Sequence, residues 1–236
     1  EIFSCIDCKS GYHQLANTEA TKKLLSFHWR SKLYSWTRMP FGPASAPAHW
    51  QRVVDCIFRG METFCLCYLD DIIIYSSADS ASGLSAIEVH ATHLRKVLAK
   101  MEEVKLRAHP GKTIIGTAYC SYLGFMISPG KMTPAVAKVR AILALKSPKN
   151  KHDLMSVMGL LNYYRAFDPS FSKLARPLNN LLKGEAPKEF GSAWTDECEE
   201  AFHTLKRNLA RPGCAVRLPI AGKRFTLHTD FSNCGV

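Results

Sequence analysis

An α+β fold is predicted for this chain of 236 residues, and three patterns carry the prediction. Short apolar runs with strand character stand at 1–8 and 64–75, segments with helical spacing are interleaved between them, and the second half is mostly helical. Apolar residues at 47% and charged residues at 22% exclude a disordered tail or a fibrous repeat, and the length suits one large domain or two small ones. No apolar stretch reaches the roughly 20 residues that cross a bilayer, so no membrane partner is expected. Basic residues outnumber acidic ones, 31 against 20, giving +11 and a pI near 9.3. Such an excess points to a polyanionic partner, nucleic acid first.

The elements follow in order. The strand at 1–8 ends on Asp7. Residues 24–37, with Leu33, Tyr34 and Trp36, alternate as a hairpin does. Met39-Pro40-Phe41-Gly42-Pro43-Ala44-Ser45-Ala46-Pro47 is a breaker-rich loop. From 48 to 58, Trp50, Val53, Val54, Ile57 and Phe58 fall at helical spacing, with Gly60 as the stop. The run 64–75 forms two apolar arms around Asp70-Asp71, a hairpin with acids at its turn. A helix over 88–105 is followed by short strands at 113–116 and 122–127.

In the second half, Thr133-Pro134 offers a capping hydroxyl and a first-turn proline for a helix that Ser147-Pro148 ends. Asn150 and Asp153 open the next helix, whose apolar face carries Leu154, Val157, Met158 and Leu161. Thr195, Asp196 and Glu197 open another, with Lys206 and Arg207 near its far end to suit the macrodipole. Residues 224–231 read as a new strand. Eleven basic and three acidic residues fall within 131–188, so this window holds +8 of the chain's +11. A solubilising helical surface would account for it; a helical module tracking phosphates is the sharper reading.

Nine cysteines, an odd number, do not suggest a disulfide framework. Cys5 and Cys8, with Cys65 and Cys67, could suggest zinc, but they sit in strand-like runs where Cys5 and Cys8 point to opposite faces. Packing as small hydrophobes is the expectation. His90 and His93 lie a helical turn apart with no third ligand nearby, so a solvated helix face is expected.

Asp70 and Asp71 are the sharpest feature. Between Tyr68-Leu69 and Ile72-Ile73-Ile74, their charges are expensive unless something positive meets them. Two like charges about 4 Å apart repel by roughly 4 kcal/mol at an effective dielectric of 20. Bound cations remove that repulsion, and Mg²⁺ prefers carboxylates together with substrate phosphates. Acidic pairs in surface turns are also common without function. Asp7 raises the interest, because its strand could share a sheet with the hairpin.

Here the motifs resemble a known family. Phe3-Ser4-Cys5-Ile6-Asp7-Cys8-Lys9-Ser10-Gly11-Tyr12-His13-Gln14 resembles the first catalytic motif of reverse transcriptases from gypsy-type LTR retrotransposons. The loop from Met39 to Pro47 is similar to their second motif, Tyr68-Leu69-Asp70-Asp71 to their catalytic hairpin, and Tyr122-Leu123-Gly124-Phe125 to their primer grip. Gly159-Leu160-Leu161-Asn162-Tyr163-Tyr164-Arg165 and Pro177-Leu178-Asn179-Asn180-Leu181-Leu182 resemble thumb and connection segments, and Thr229-Asp230-Phe231-Ser232 the first strand of an RNase H domain. Pro43 and Ser45 depart from the family's usual Leu and Asn, Cys8 replaces an aliphatic residue, and Phe231 replaces a small one.

The resemblance implies a palm with partial fingers over 1–128, a thumb and connection over 129–222, and the truncated start of an RNase H domain over 223–236. It implies Asp7, Asp70 and Asp71 as catalytic metal carboxylates for two Mg²⁺ ions, with Mn²⁺ as the alternative. Cys8, Tyr12, Phe41 and Lys112 would line the nucleotide, Tyr12 excluding a ribose 2′-hydroxyl and Lys112 protonating pyrophosphate. Asp230 would belong to a truncated RNase H site without activity of its own. The expected activity is RNA-directed DNA polymerisation by two-metal phosphoryl transfer. Its expected partners are a primed RNA or DNA template, deoxynucleoside triphosphates and other parts of a pol polyprotein, in a cytoplasmic virus-like particle or, alternatively, the nucleus. The chain reads as a segment of a longer polypeptide that lacks the upstream fingers. The competing reading is an inactive or domesticated nucleic-acid-binding remnant.

Overall fold

The computed structural model describes residues 1–183, 189–218, 224 and 226. Two compact units make up the chain, Glu1–Pro129 and Gly130–Val236. The strand expected at 224–231, with Asp230, lies outside the described residues save for positions 224 and 226.

The first unit is organised around β1 (Ile2–Asp7). After it come α1 (Gly11–Gln14), α2 (Glu19–Leu24), the hairpin β2 (Ser26–Trp29) and β3 (Lys32–Ser35), and α3 (Ala46–Ile57). Then follow β4 (Cys65–Tyr68), β5 (Asp71–Ser76), α4 (Ala86–Glu103), β6 (Ile114–Thr117), β7 (Cys120–Tyr122) and β8 (Phe125–Ser128). Strands β4, β5, β1 and β6 form one antiparallel sheet in that order. Alternation along β1 gives the sheet two faces. Phe3 and Cys5 pack with Ile73 and Cys120 on one; Ile6 and Cys8 join Trp50, Val54, Ile72, Ile74 and Val97 of the main core on the other. Each fully buried aliphatic there contributes on the order of 1.5–3 kcal/mol. Cys5 and Cys8 thus serve opposite faces, as alternation requires.

Three local expectations change. The segment 122–127 is a hairpin, not one strand: Leu123 (φ 49°) and Gly124 (φ 78°) form a two-residue turn between β7 and β8. Helix α4 begins at a capping box, in which Ser85 Oγ accepts from the Glu88 N–H and the Glu88 carboxylate accepts from the Ser85 N–H. That start turns His90 inward. His90 is 4% exposed and bonded through both ring nitrogens, so the expected solvated histidine face is wrong.

The second unit opens with β9 (Lys131–Pro134), which pairs with β10 (Val216–Arg217), so Thr133-Pro134 belongs to a strand rather than a helix start. Between these strands lie α5 (Val136–Leu143), α6 (Lys151–Tyr163), α7 (Phe171–Leu174), α8 (Arg176–Asn180) and α9 (Asp196–Ala210). Helix α5 stops at Leu143, before Ser147-Pro148. Asn150 caps α6 by accepting from the Asp153 N–H, and Leu154, Val157, Met158 and Leu161 are buried as expected. Thr195 caps α9, which packs on α5, α7 and α8. Lys206 corrects its expected place: it is buried at 5% exposure, donates to the Leu145 carbonyl and lies over the Phe202 ring. A carbonyl just past the end of α5 holds it more strongly than the helix macrodipole would. The basic window keeps Lys131, Lys138, Arg140, Lys146, Lys149, Arg165, Lys173, Arg176 and Lys183 exposed.

Candidate active site

Strand pairing brings the acids together. Asp7 at the end of β1 lies directly opposite Asp71 at the start of β5, and Asp70 sits in the turn between β4 and β5. Like charges directly opposed across an antiparallel pair destabilise it. Backbone bonds hold the arrangement: the Cys8 N–H donates to the Asp70 carbonyl at 2.8 Å, and the His109 N–H to the Asp7 carbonyl at 2.7 Å. The turn itself is strained, because Leu69 has φ 51°, a left-handed value that a branched side chain disfavours.

Gln51 on α3 secures that turn. Its Oε1 accepts from the Leu69 N–H at 2.7 Å, while its Nε2 donates to the Cys67 carbonyl at 3.0 Å and to Asp55 Oδ1 at 2.8 Å. Gly11 is required by close approach: a Cβ there would lie 2.1 Å from Asp70 Oδ1 and 2.7 Å from Trp50 Cζ2.

Burial pushes the Asp70 carboxyl above the usual range, and Asp7 and Asp71 add to it. Burial and then Asp7 raise Asp71 in the same way, while Lys112 opposes both shifts. Lys112 Nζ lies 3.4 Å from Asp7 Oδ2, so this lysine already faces a carboxylate. Asp70 Oδ1 is buried without a hydrogen-bond donor. A buried carboxylate oxygen without a donor, beside two like charges, suits a hard cation. Among the described residues no three His, Cys, Asp or Glu side chains close into a metal cage. Mg²⁺-type ions are ordinarily held by one or two carboxylates, with water and substrate phosphates completing the shell. The acids therefore fit divalent ions shared with a phosphate-bearing substrate.

The remaining sequence candidates divide. Tyr12 stands beside the acids; burial and then Asp70 raise its phenol, and its ring lies 5.3 Å from Phe41. Phe41 is exposed in the loop before α3. Cys8 is 2% exposed and its side chain packs in the core, where burial followed by the three aspartates pushes its thiol up to about 12. Tyr122, Leu123, Gly124 and Phe125 make the tip of the β7–β8 hairpin. Helical spacing alone does not distinguish Gln51 from a solvated residue, and the sequence assigns Gly11 no role; only the folded contacts reveal both.

Similarity to known proteins extends over this site. Residues 1–127 match the family described as reverse transcriptase (RNA-dependent DNA polymerase). All 236 residues align at 31% identity with the Tf2-3 transposon polyprotein of Schizosaccharomyces pombe, and at 30% with the Tf2-7 polyprotein of the same yeast. The chain spans 17% of the length of each. The foamy viral protease–reverse transcriptase solved with double-stranded DNA superposes with a TM-score of 0.78 at 24% identity, covering 92% of this chain and 36% of that one. The same enzyme solved with an RNA/DNA hybrid gives 0.77, over 92% and 28%. At that identity the superposition speaks for the fold. With the family match over more than half of its length, this chain belongs to the reverse transcriptase family.

Proposed function

We propose that this chain is the polymerising segment of a gypsy-type LTR retrotransposon polyprotein and adds deoxynucleotides to a primer on an RNA or DNA template. The observation that carries the reading is the convergence of Asp7, Asp70 and Asp71 on one end of a sheet, with Asp70 Oδ1 left without a donor. Asp7 and Asp70 would hold the divalent ions, with Asp71 adding negative charge beside them. Mg²⁺ is the preferred ion for an all-oxygen donor set, with Mn²⁺ as its substitute. Bound there, the ions would supply charge neutralisation for the phosphates and activation of the primer hydroxyl.

The protein's own groups account for the rest. Tyr12, between Asp70 and Phe41, would lie under the sugar of an incoming nucleotide and exclude a 2′-hydroxyl. Lys112 carries an ammonium beside Asp7 and would protonate departing pyrophosphate. The tip Tyr122–Phe125 would seat the primer end. Exposed lysines and arginines of the second unit suit a nucleic-acid backbone, and the foamy viral enzyme was solved with such duplexes.

Primer extension on an RNA template, with this chain expressed in its polyprotein, tests the proposal. Asp70→Asn is expected to lower Mg²⁺-dependent extension by about 10³-fold while duplex binding persists. Retained extension would remove Asp70 from the site; wild-type binding without any extension would favour the remnant reading.

A further inference from the structure

We propose that a cavity on the flank of the acid site is a second anion site, which takes up inorganic pyrophosphate after it leaves the acids. Anion binding stands on the cavity itself; the naming of the anion as reaction product rests on the polymerase reading above. The cavity holds about 400 Å³ and is lined by His13, Gln14, Arg38, Val104, Lys105 and Arg107. Three of these residues carry a permanent positive charge and none is acidic.

The cations lack counter-ions. Among the described residues no carboxylate lies within ion-pair distance of Arg38, Lys105 or Arg107. Arg38 Nη1 donates to the Gln14 carbonyl at 2.9 Å, which leaves the rest of its guanidinium for a ligand. Glu103, the acid nearest in sequence to Lys105, is taken by Lys100 at 2.9 Å. Like charges lining one small cleft repel each other, and a multiply charged anion converts that repulsion into attraction.

The walls are held in place. Gln14 of α1 positions both arginines: its Oε1 accepts from the Arg107 N–H at 2.7 Å, its Nε2 donates to the Arg107 carbonyl at 3.0 Å, and its own carbonyl receives Arg38. Lys105 follows the end of α4 with φ 58°, the left-handed position that glycine ordinarily fills. Across it the Leu106 N–H donates to the Met101 carbonyl at 2.8 Å, closing the helix end. A lysine there is conformationally costly, and it gives the cavity its third cation.

Position and charge select the ligand. The Lys9 N–H donates to the Arg107 carbonyl at 2.9 Å and the His109 N–H to the Asp7 carbonyl, so Arg107 stands two residues, about 7 Å, from Asp7 along one pairing. A phosphodiester backbone brings a single charge per phosphate. Pyrophosphate concentrates about three on adjoining phosphates, whose oxygens suit guanidinium forks.

Calorimetric titration of pyrophosphate into the whole chain, in chelator so that no metal bridges anion and acids, tests the site. Arg107→Gln and Lys105→Gly should each weaken binding about tenfold. Lys105→Gly should do so without loss of thermal stability, because glycine suits that backbone. Asp70→Asn should not weaken it. No binding in chelator, equal binding of inorganic phosphate, or an equal loss of affinity for oligothymidylate in both variants would overturn the site. In primer extension by the polyprotein, both variants should raise the pyrophosphate concentration for half inhibition severalfold, and unchanged inhibition would overturn the product assignment. A polyprotein that extends no primer would fail the polymerase reading alone, because the titration does not depend on extension.

Discussion

Strands β1 and β5 carry a polar cluster on each face of their sheet, and the two clusters meet burial in opposite ways. Behind the sheet, Ser4, Ser76 and His90 are nearly inaccessible and fully bonded. His90 Nε2 meets Ser4 Oγ at 2.7 Å and its Nδ1 meets Ser76 Oγ at 2.9 Å; Ser76 also reaches His93, and the Gly116 N–H donates to Ser4. At the acid end, Asp7 opposes Asp71 and Asp70 Oδ1 lacks a donor. A closed network returns the desolvation of its members, whereas an open one stores it until a partner arrives. The difference separates a structural polar site from a chemical one within a single sheet.

Urea denaturation in the presence of a chelator should give the largest contrast. His90→Leu removes the imidazole between two buried hydroxyls and is expected to lower stability by roughly 1–3 kcal/mol. Asp70→Asn removes a charge from a repelling cluster and should leave stability unchanged or raised. Equal losses from the two substitutions would dissolve the distinction.

Gln51 sharpens the comparison, because it is a closed polar group that serves the open site. Its amide holds both sides of the strained turn, through the Leu69 N–H and the Cys67 carbonyl. With Gln51→Leu the turn loses its acceptor, and the extension rate should fall about tenfold while nucleotide KM stays near its original value, for a stability loss of about 1 kcal/mol. Steady-state kinetics at saturating primer–template measures the split. An unchanged rate would make Gln51 a packing residue only.

How much of this was legible depended on whether the signal was local. Alternation around Asp7 and Asp70-Asp71 placed the acids at strand ends, and side-chain caps at Asn150 and Thr195 announced α6 and α9. His90 was misread because a polar residue at helical spacing looks solvated until its strand partners are known. Ser4 lies 86 positions away and Ser76 14. Thr133-Pro134 carried a valid local helix start, but pairing of Lys131 and Met132 with β10 claimed the segment. The turn within 122–127 was hidden because Leu123 is an unusual left-handed residue beside an otherwise ordinary glycine. Gln51 acts on a turn 18 positions further on, a relation no periodicity records.

The two clusters should also titrate with opposite signs. Burial, then the neighbouring His93, hold His90 below the ordinary imidazole value of 6.5. Between its folded value and 6.5 the unfolded chain binds more protons, so His90 makes stability rise with pH and be lost as pH falls through that window. Asp70 and Asp71 are raised above the ordinary 3.8, so there the folded chain binds more protons and stability falls as pH rises. Each proton contributes at most about 1.4 kcal/mol per pH unit, which makes this the smallest expected effect. His93, which adds to the lowering of His90, is itself stacked on the Phe64 ring and lowered by burial and then Lys96, and His90→Gln leaves these groups intact. That variant should flatten the loss of the urea midpoint below about pH 6.5, and Asp70→Asn should leave this limb alone while reducing the opposing slope nearer pH 4. If His90→Gln keeps the acid limb, the proton enters elsewhere, and the satisfied network is not what ties the sheet's stability to pH.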